Sequence, residues 1–472
     1  MNDLLHTLSA CAAVDGLRQG ELSPGQLIAA LEQRVEAVNP ALNALPTTCF
    51  ERARARAAAL EKLPPGERGV LAGLPVPIKD SYEVEGVRTT WGSRAFADHI
   101  AARSDYCVEA IEAAGGVVYA KSNTPEFEAG ANTFNDVFGA TRNPWNIALS
   151  AAGSSGGAAA AVASGMAFIA QGSDFACSVR YPAAFCNIVG LRPSPGLVPQ
   201  GPNALPFQVL SVIGPLARSV ADVALGLDGF ARFDRRDPLS RPVSPMGYRA
   251  AAMTAERPKR VAFSMDLGVA RVARPVRATI EQAVGKLAAA GLAVAETHPD
   301  LSLADGAFRT LRAFQFAALR QEVLQTARDK LKPEVVWNIE QGLKLTAAEI
   351  ALAEARRAQS RRDMLAFLDE HDFLIAPAAP VEAFPVTERF VREIDGETLE
   401  TYLDWLLLGY AVTVCGCPAI SIPCGLSENG LPVGLQIIGK PYGEAALLRV
   451  AAWCESVLAA SLARPLEPRG AA

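Results

Sequence analysis

The segment from Ser150 to Pro193 constrains this chain most. Within it, Gly153-Ser154-Ser155-Gly156-Gly157 opens without a break into Ala158-Ala159-Ala160-Ala161-Val162-Ala163, a strong helix former. The glycines allow a tight turn, and the turn delivers the chain straight onto a helix N-terminus. Several N–H groups there lack an intrahelical partner, and the helix dipole presents its positive end. A plain turn needs only the glycines. Two adjacent serines seated between them point to chemistry as well as to geometry.

Three chemistries compete for such a turn. Phosphate binding lacks the lysine of G-x-x-x-x-G-K-[ST] and the spacing of G-x-G-x-x-G. A nucleophile elbow matches G-x-S-x-G formally, but it needs an apolar strand just before the turn and a downstream histidine and aspartate. Here Asn143-Pro144-Trp145-Asn146 reads as loop, and His298 and His371 sit in ordinary turn and helix contexts. The third chemistry uses serines and a lysine with no histidine. Lys79 ends the apolar run Leu74-Pro75-Val76-Pro77-Ile78, a buried strand in this reading, and burial disfavours an ammonium, so a neutral lysine can act as a base. The competing reading of Lys79 is a surface lysine beside Asp80. Ser178 offers a further hydroxyl, in Gly172-Ser173-Asp174-Phe175-Ala176-Cys177-Ser178-Val179-Arg180. Spacing alone does not join Lys79, Ser154 and Ser178.

Around this segment, helical and strand patterns alternate. Ser23-Pro24-Gly25-Gln26 is a capping box that starts a helix, and Asn39-Pro40 is its expected stop. A charged helix follows from about Phe50 to Leu63. Val117-Val118-Tyr119-Ala120, Ala167-Phe168-Ile169-Ala170, Arg260 to Ser264, Phe373 to Ala376, Ala419 to Pro423 and Val433 to Ile438 read as strands. Helical periodicity dominates from about Pro275 to Leu368. These patterns lead to the expectation of a single, interrupted α/β domain over residues 1–472. It divides into a helical N-terminal part (about 1–63), a core (about 65–225), a variable helical part (about 229–370) and a return to the sheet (about 371–455).

Composition narrows the function. Half of the 472 residues are hydrophobic and 20% are charged, which supplies a sizeable core and excludes disordered and fibrous classes. Forty-five Lys and Arg against 50 Asp and Glu leave a net charge of -5, a poor surface for nucleic acid. Nine cysteines without a C-x-x-C pair read as reduced thiols, and four scattered histidines give no metal-ligand spacing. Leu8-Ser9-Ala10-Cys11 resembles a lipoprotein cleavage box but lacks a basic flank. The charge-free stretch from Trp405 to Pro423 is better read as a core helix entering a strand than as a membrane span. A soluble, cytoplasmic protein is expected, with no metal, no cofactor and no membrane partner; a homodimer is compatible with the sequence.

Gly153-Ser154-Ser155-Gly156-Gly157 with Gly172-Ser173-Asp174, Ser178-Val179-Arg180, Pro182-Ala183-Ala184-Phe185-Cys186 and Val189-Gly190-Leu191-Arg192-Pro193 resembles the amidase signature family. Gly73 to Asp80, Lys121 to Phe127, Thr141 to Trp145, Gly416 to Ala419 and Gly430 to Gln436 resemble further blocks of that family, so the likeness runs from about residue 15 to about residue 455. It implies a serine–cis-serine–lysine triad: Ser178 as nucleophile, Ser154 as the bridging serine after a cis peptide bond, Lys79 as general base. It also implies an oxyanion hole from the N–H groups of Phe175, Ala176 and Cys177. Asp174 and Arg180 are expected to brace that loop. The fold that the likeness implies is a mixed central sheet covered by helices, and no cofactor is implied.

The sequence departs from the family pattern at two places. Ala176-Cys177 replaces the usual Gly-Gly, and Ala152 stands where glycine is usual. Where such a glycine needs a positive φ, a Cβ costs about 1–2 kcal/mol. The expected activity is hydrolysis of a small, mainly neutral amide, such as an aryl or medium-chain acyl amide, an anilide or a carbamate. The rivals are a catalytically silent protein of the same fold and a glutamine-hydrolysing amidotransferase A-type subunit. Phe134, Phe207, Trp337 and Trp405 are the candidate substrate contacts, and with Phe175 they suggest a largely apolar pocket. No arginine beyond the motif-bound Arg142 and Arg180 is evidently placed to clamp a carboxylate.

Overall fold

Strand Pro75–Lys79, buried along its whole length, is the outer member of a three-stranded sheet in the order Thr47–Thr48, Val117–Ser122, Pro75–Lys79. Its valine, isoleucine and prolines suit an edge position, where a missing N–H does not break the ladder. The structure is a computed structural model describing residues 2–243, 246–462 and 465–470. A second, eight-stranded sheet runs in the order Val294–Glu296, Val261–Phe263, Phe373–Pro377, Pro432–Ile438, Ala419–Leu426, Val189–Arg192, Val212–Ala217, Ile169–Asp174. Its first two pairings are parallel and the rest antiparallel, so the sheet is mixed.

The edges of the two sheets meet. Ile169–Asp174 ends the large sheet beside Pro75–Lys79, and the Lys79 N–H donates to Gln171 Oε1 at 2.9 Å across the seam. The helix Gly156–Ala163 lies against this seam with every residue buried, which its run of alanines allows. Helices Ala304–Ala327, Pro333–Leu343 and Ala347–Glu370 form the helical part expected between the core segments.

Three local details differ from the sequence reading. The capped helix Pro24–Leu42 runs through Pro40 and ends at Asn43, whose φ of 52° closes it. Asn39 helps the exit from outside the ladder, its Oδ1 accepting the N–H groups of Ala44 and Leu45. Val294–Glu296 is a strand within the stretch read as helical; three residues are too short for a period-2 pattern to register. The helix Glu444–Leu458 closes the chain against Ala419–Leu426.

Close backbone approach makes one glycine indispensable. A Cβ on Gly157 would lie 2.3 Å from Asn123 N and 2.6 Å from Ala44 O. Intrinsic propensity favours alanine over glycine in a helix by about 1 kcal/mol. Backbone does not yield as a side chain does, so the clash outweighs that gain. Gly157→Ala should therefore destabilise the fold by about 1–3 kcal/mol, read as a lower Tm in thermal unfolding. A variant as stable as the wild type would show that this approach can relax.

Candidate active site

Lys79 is wholly buried, and three oxygens surround its amine: Ser154 Oγ at 2.6 Å, Glu128 Oε1 at 2.8 Å and Ser173 Oγ at 2.9 Å. Burial lowers its pKa, and the Glu128 carboxylate opposes that shift without reversing it. Asp80 is not its partner. That carboxylate turns away to Lys121 Nζ at 3.2 Å and to Thr90. Glu128 Oε1 also accepts from Ser81 Oγ at 2.8 Å and Ser173 Oγ at 2.5 Å. Burial alone would raise the Glu128 carboxyl, but Lys79 and the two hydroxyls outweigh it and hold the group below its ordinary value.

Ser154 reaches this cluster from the glycine turn. The Gly153–Ser154 peptide is cis, and a Cβ on Gly153 would sit 2.9 Å from Ala131 C and Asn132 N. Next to it, the Ser155 N–H donates to the Ser178 carbonyl at 3.2 Å, which keeps the turn alongside the second serine. Ser178 is 6% exposed, and among the described residues its Oγ makes no hydrogen bond. No hydrogen bond joins Ser154 to Ser178; such contacts commonly tighten only with substrate present.

The loop before Ser178 is tied down from behind. Asp174 accepts from Arg180 Nε at 3.0 Å, Arg192 Nη1 at 3.3 Å and the Val179 N–H at 3.2 Å. Burial works against its ionisation, but the two guanidinium groups bring its pKa down to about 2. Arg180 Nη2 also donates to Ala176 O at 2.7 Å and Gly409 O at 3.1 Å. Among the described residues, the N–H groups of Phe175, Ala176, Cys177 and Ser178 have no acceptor. Buried backbone donors are nearly always paired, so such a run of unpaired N–H groups is exceptional.

Cys177 is held as a neutral thiol in this arrangement. Its side chain is buried against the helix Leu407–Cys415, where a Cβ on Gly409 would come 2.5 Å from Cys177 Cβ, and burial pushes the thiol far up. Of the two departures from the family pattern, only Ala152 falls in the left-handed region, at φ 55°.

A cavity of about 530 Å³ opens beside this cluster, a size suited to a small molecule. Glu128 and Phe175 belong to its wall, which links it to Lys79 and to the unpaired N–H groups. Trp91, Phe127, Phe175 and Phe316 give it aromatic faces. It is not the largely apolar slot expected, because Arg103, Arg320, Glu83, Asp105 and Glu322 also line it. Both arginines escaped the sequence reading since neither lies in a motif.

None of the four aromatic residues taken as substrate contacts lines this cavity. Trp405 is in the core, its ring 5.4 Å from Tyr181 and 5.6 Å from Phe384. Phe207 is 73% exposed and Trp337 is 37% exposed, their elements turning them toward solvent. Phe134 lines a separate cavity of about 110 Å³, where Lys332 and Arg389 lie over its ring. Only the Pro202–Ala204 end of the Phe207 segment reaches the main cavity. Among the described residues no group of His, Cys, Asp and Glu is arranged to hold a metal ion, and no helix is long and apolar enough to cross a membrane.

Known proteins resemble this chain over nearly its whole length. Residues 26–448 match the Amidase family, and the chain belongs to that family. It is thus a hydrolase of carbon–nitrogen bonds in amides other than peptide bonds. It is 36% identical to an acylamidase of Rhodococcus erythropolis over 96% of each chain. It is 34% identical to the A-type subunit of the glutamyl-tRNA(Gln) amidotransferase of Moorella thermoacetica, over 95% of this chain and 96% of that one. Among solved structures, a bacterial aryl acylamidase of the amidase signature enzymes superposes with a TM-score of 0.89 at 27% identity, covering 96% of both chains. A 6-aminohexanoate cyclic dimer hydrolase with bound substrate superposes with a TM-score of 0.88 at 28% identity, over 98% of this chain and 99% of the other.

Two predictions follow the geometry of the turn and the loop. Ala152→Gly should raise stability by up to about 1 kcal/mol, the left-handed strain relieved less the added freedom of the unfolded chain, and the check is an upward shift in Tm. Cys177→Ala should keep most of the hydrolytic rate, and the wild type should lose none of it to a small thiol reagent under native conditions. Loss of activity in Cys177→Ala with full folding would reassign the nucleophile.

Proposed function

We propose that Ser178 is the nucleophile, Ser154 the bridging serine and Lys79 the base of an acyl-transfer hydrolase. The observation that carries this is the buried amine of Lys79, 2.6 Å from Ser154 Oγ, on a turn bonded to the backbone of Ser178. Neutral Lys79 takes the proton of Ser154 while Ser154 takes that of Ser178, and Ser178 Oγ forms a bond to the amide carbon. The negative charge that develops on the carbonyl oxygen is met by the N–H groups of Phe175, Ala176, Cys177 and Ser178. The C–N bond then breaks, Ser154 hands its proton to the departing amine, and Lys79 returns its proton to Ser154. Water, activated by the same relay, hydrolyses the acyl-enzyme to the free acid.

The substrate we infer is a small, mainly neutral amide with an aryl or medium-chain acyl portion. Aromatic walls support this, as does the mixed sign of the charges lining the cavity, which offers no single ionic anchor. The acylamidase and aryl acylamidase relatives point the same way. Nine unpaired cysteines, seven of them buried, favour a reducing compartment and so a cytoplasmic enzyme.

The decisive experiment uses the purified chain alone. Ser178→Ala should abolish turnover and labelling by a serine-directed phosphonate, and Lys79→Ala should lower kcat by several orders of magnitude, about the effect of losing one member of a unit. The wild-type rate should fall as pH drops, because the base works only when neutral. Substantial activity in Lys79→Ala would remove lysine as base; an unlabelled Ser178 would favour a silent protein. In a panel of amides, anilides and carbamates that includes glutamine, a clear preference for glutamine would favour the amidotransferase reading.

A further inference from the structure

Glu128 has no part in the triad, yet it touches the base directly and stands between the base and the cavity. It directly follows the Lys121–Phe127 block, and Phe127 and Glu128 take consecutive φ values of 47° and 60°. Side chains with a Cβ rarely adopt that conformation, so the surrounding structure holds the carboxylate where it is. Its Oε1 takes three contacts: Lys79 Nζ at 2.8 Å, Ser173 Oγ at 2.5 Å and Ser81 Oγ at 2.8 Å.

A count of donors and acceptors assigns these contacts. Neutral Lys79 has two N–H donors and one lone pair. Three oxygens face it, from Ser154, Ser173 and Glu128. Carboxylate oxygens only accept. Ser173 spends its single proton on Glu128, so toward Lys79 the Ser173 oxygen can also only accept. Both N–H donors of Lys79 are then used, on Glu128 and Ser173. The lone pair has one partner left, the hydroxyl of Ser154.

We propose that Glu128 is a positioning residue of the proton relay: it aims the lone pair of neutral Lys79 at Ser154 and supplies the counter-charge once Lys79 has become an ammonium. This rests on Lys79 being the base. It goes beyond a three-residue triad, and it gives the relay a carboxylate at its far end, as serine–histidine–aspartate sites have.

The other charged and titratable groups facing the pair leave it the titrating couple. Tyr82, beside the strand of Lys79, and Cys177 are held neutral because burial pushes both far up. Asp174 stays ionised between Arg180 and Arg192. Arg312 and Arg320, from helix Ala304–Ala327, face Glu128 and stay cationic. With that carboxylate present the ammonium form of Lys79 is favoured, so its removal must let Lys79 lose its proton at lower pH.

The test compares wild type, Glu128→Gln and Glu128→Gly as complete chains. Glutamine keeps the shape and one acceptor but not the charge. Glycine suits the positive φ, so it keeps the experiment open if glutamine does not fold. For each, two pH profiles are measured: kcat/KM, and the rate of phosphonate labelling of Ser178, which does not depend on substrate contacts with the cavity wall. In both variants the acid limb should move to lower pH by about one unit, about a tenfold change in rate at a fixed pH on that limb. The plateau kcat should fall, more in Glu128→Gly than in Glu128→Gln, since glycine also loses the acceptor. A limb within about half a unit of the wild type in both profiles, or one moved upward, overturns the proposal. Lys79→Ala serves as the separate arm. If it is inactive while the limb of Glu128→Gln stays put, only the role of Glu128 fails; if it remains active, the base assignment fails with it.

Discussion

The burial of one amine organises the rest of this site. An ammonium removed from water without a partner costs many kcal/mol, so a lysine at the seam of two sheet edges must be neutral, paired or both. Here the oxygens that meet Lys79 come from three other parts of the chain: Glu128 after the three-stranded sheet, Ser154 in the glycine turn and Ser173 on the large sheet. Each is held by a different element, so correct packing of both sheets and of the helix Gly156–Ala163 is a condition for this buried cluster to form at all.

A second buried cluster settles which way the loop before Ser178 faces. Across a trans peptide the C=O and N–H point in opposite directions. Arg192 holds the Asp174 carbonyl, and Arg180 and Thr413 hold the Ala176 carbonyl, all toward the core. The N–H groups of Phe175 and Cys177 must therefore point away from the core. Asp174 keeps both guanidinium groups in place, and its low pKa means that this device persists at all but strongly acid pH, losing its contribution as pH falls toward about 2. Donors aimed in advance cost no reorganisation when charge develops beside them.

How much of this was legible in the sequence divides along physical lines. The turn, the strand ending on Lys79 and the loop bearing Ser178 were readable because each depends on local chemistry: glycines, apolar runs, a helix start. The α/β class followed from the alternation of those patterns, and the mixed sheet from the family resemblance. Glu128 and Ser173 were not readable as neighbours of Lys79, since their meeting depends on how two sheet edges approach. A carboxylate in an exposed-looking Glu-Phe-Glu run carries no sign that it turns inward. The aromatic residues misled for the opposite reason. Trp405 looked like a pocket wall and is core, because a hydrophobic residue in a helix says that it is buried without saying against what. Arg103 and Arg320 line the cavity from ordinary helical and loop sequence, so no motif marked them.

The Ala176-Cys177 pair shows how a departure from a family pattern can leave the site open. A side chain added beside four unpaired N–H groups would be expected to crowd an incoming carbonyl. Cys177 instead points into the helix Leu407–Cys415, and the room comes from Gly409, whose own Cβ would lie 2.5 Å from that of Cys177 and 3.0 Å from Ala176 O. The missing Cβ also lets the helix backbone come near enough for Arg180 to reach the Gly409 carbonyl at 3.1 Å. The Cβ on the loop is thus accommodated by the absence of one on the helix, on the core side. Ala176 needs no left-handed conformation, so its methyl group brings no strain of the kind Ala152 carries. The glycine to look for when reading such a loop is then the one opposite it, far away in sequence, where Arg180 and Gly409 are separated by 229 positions.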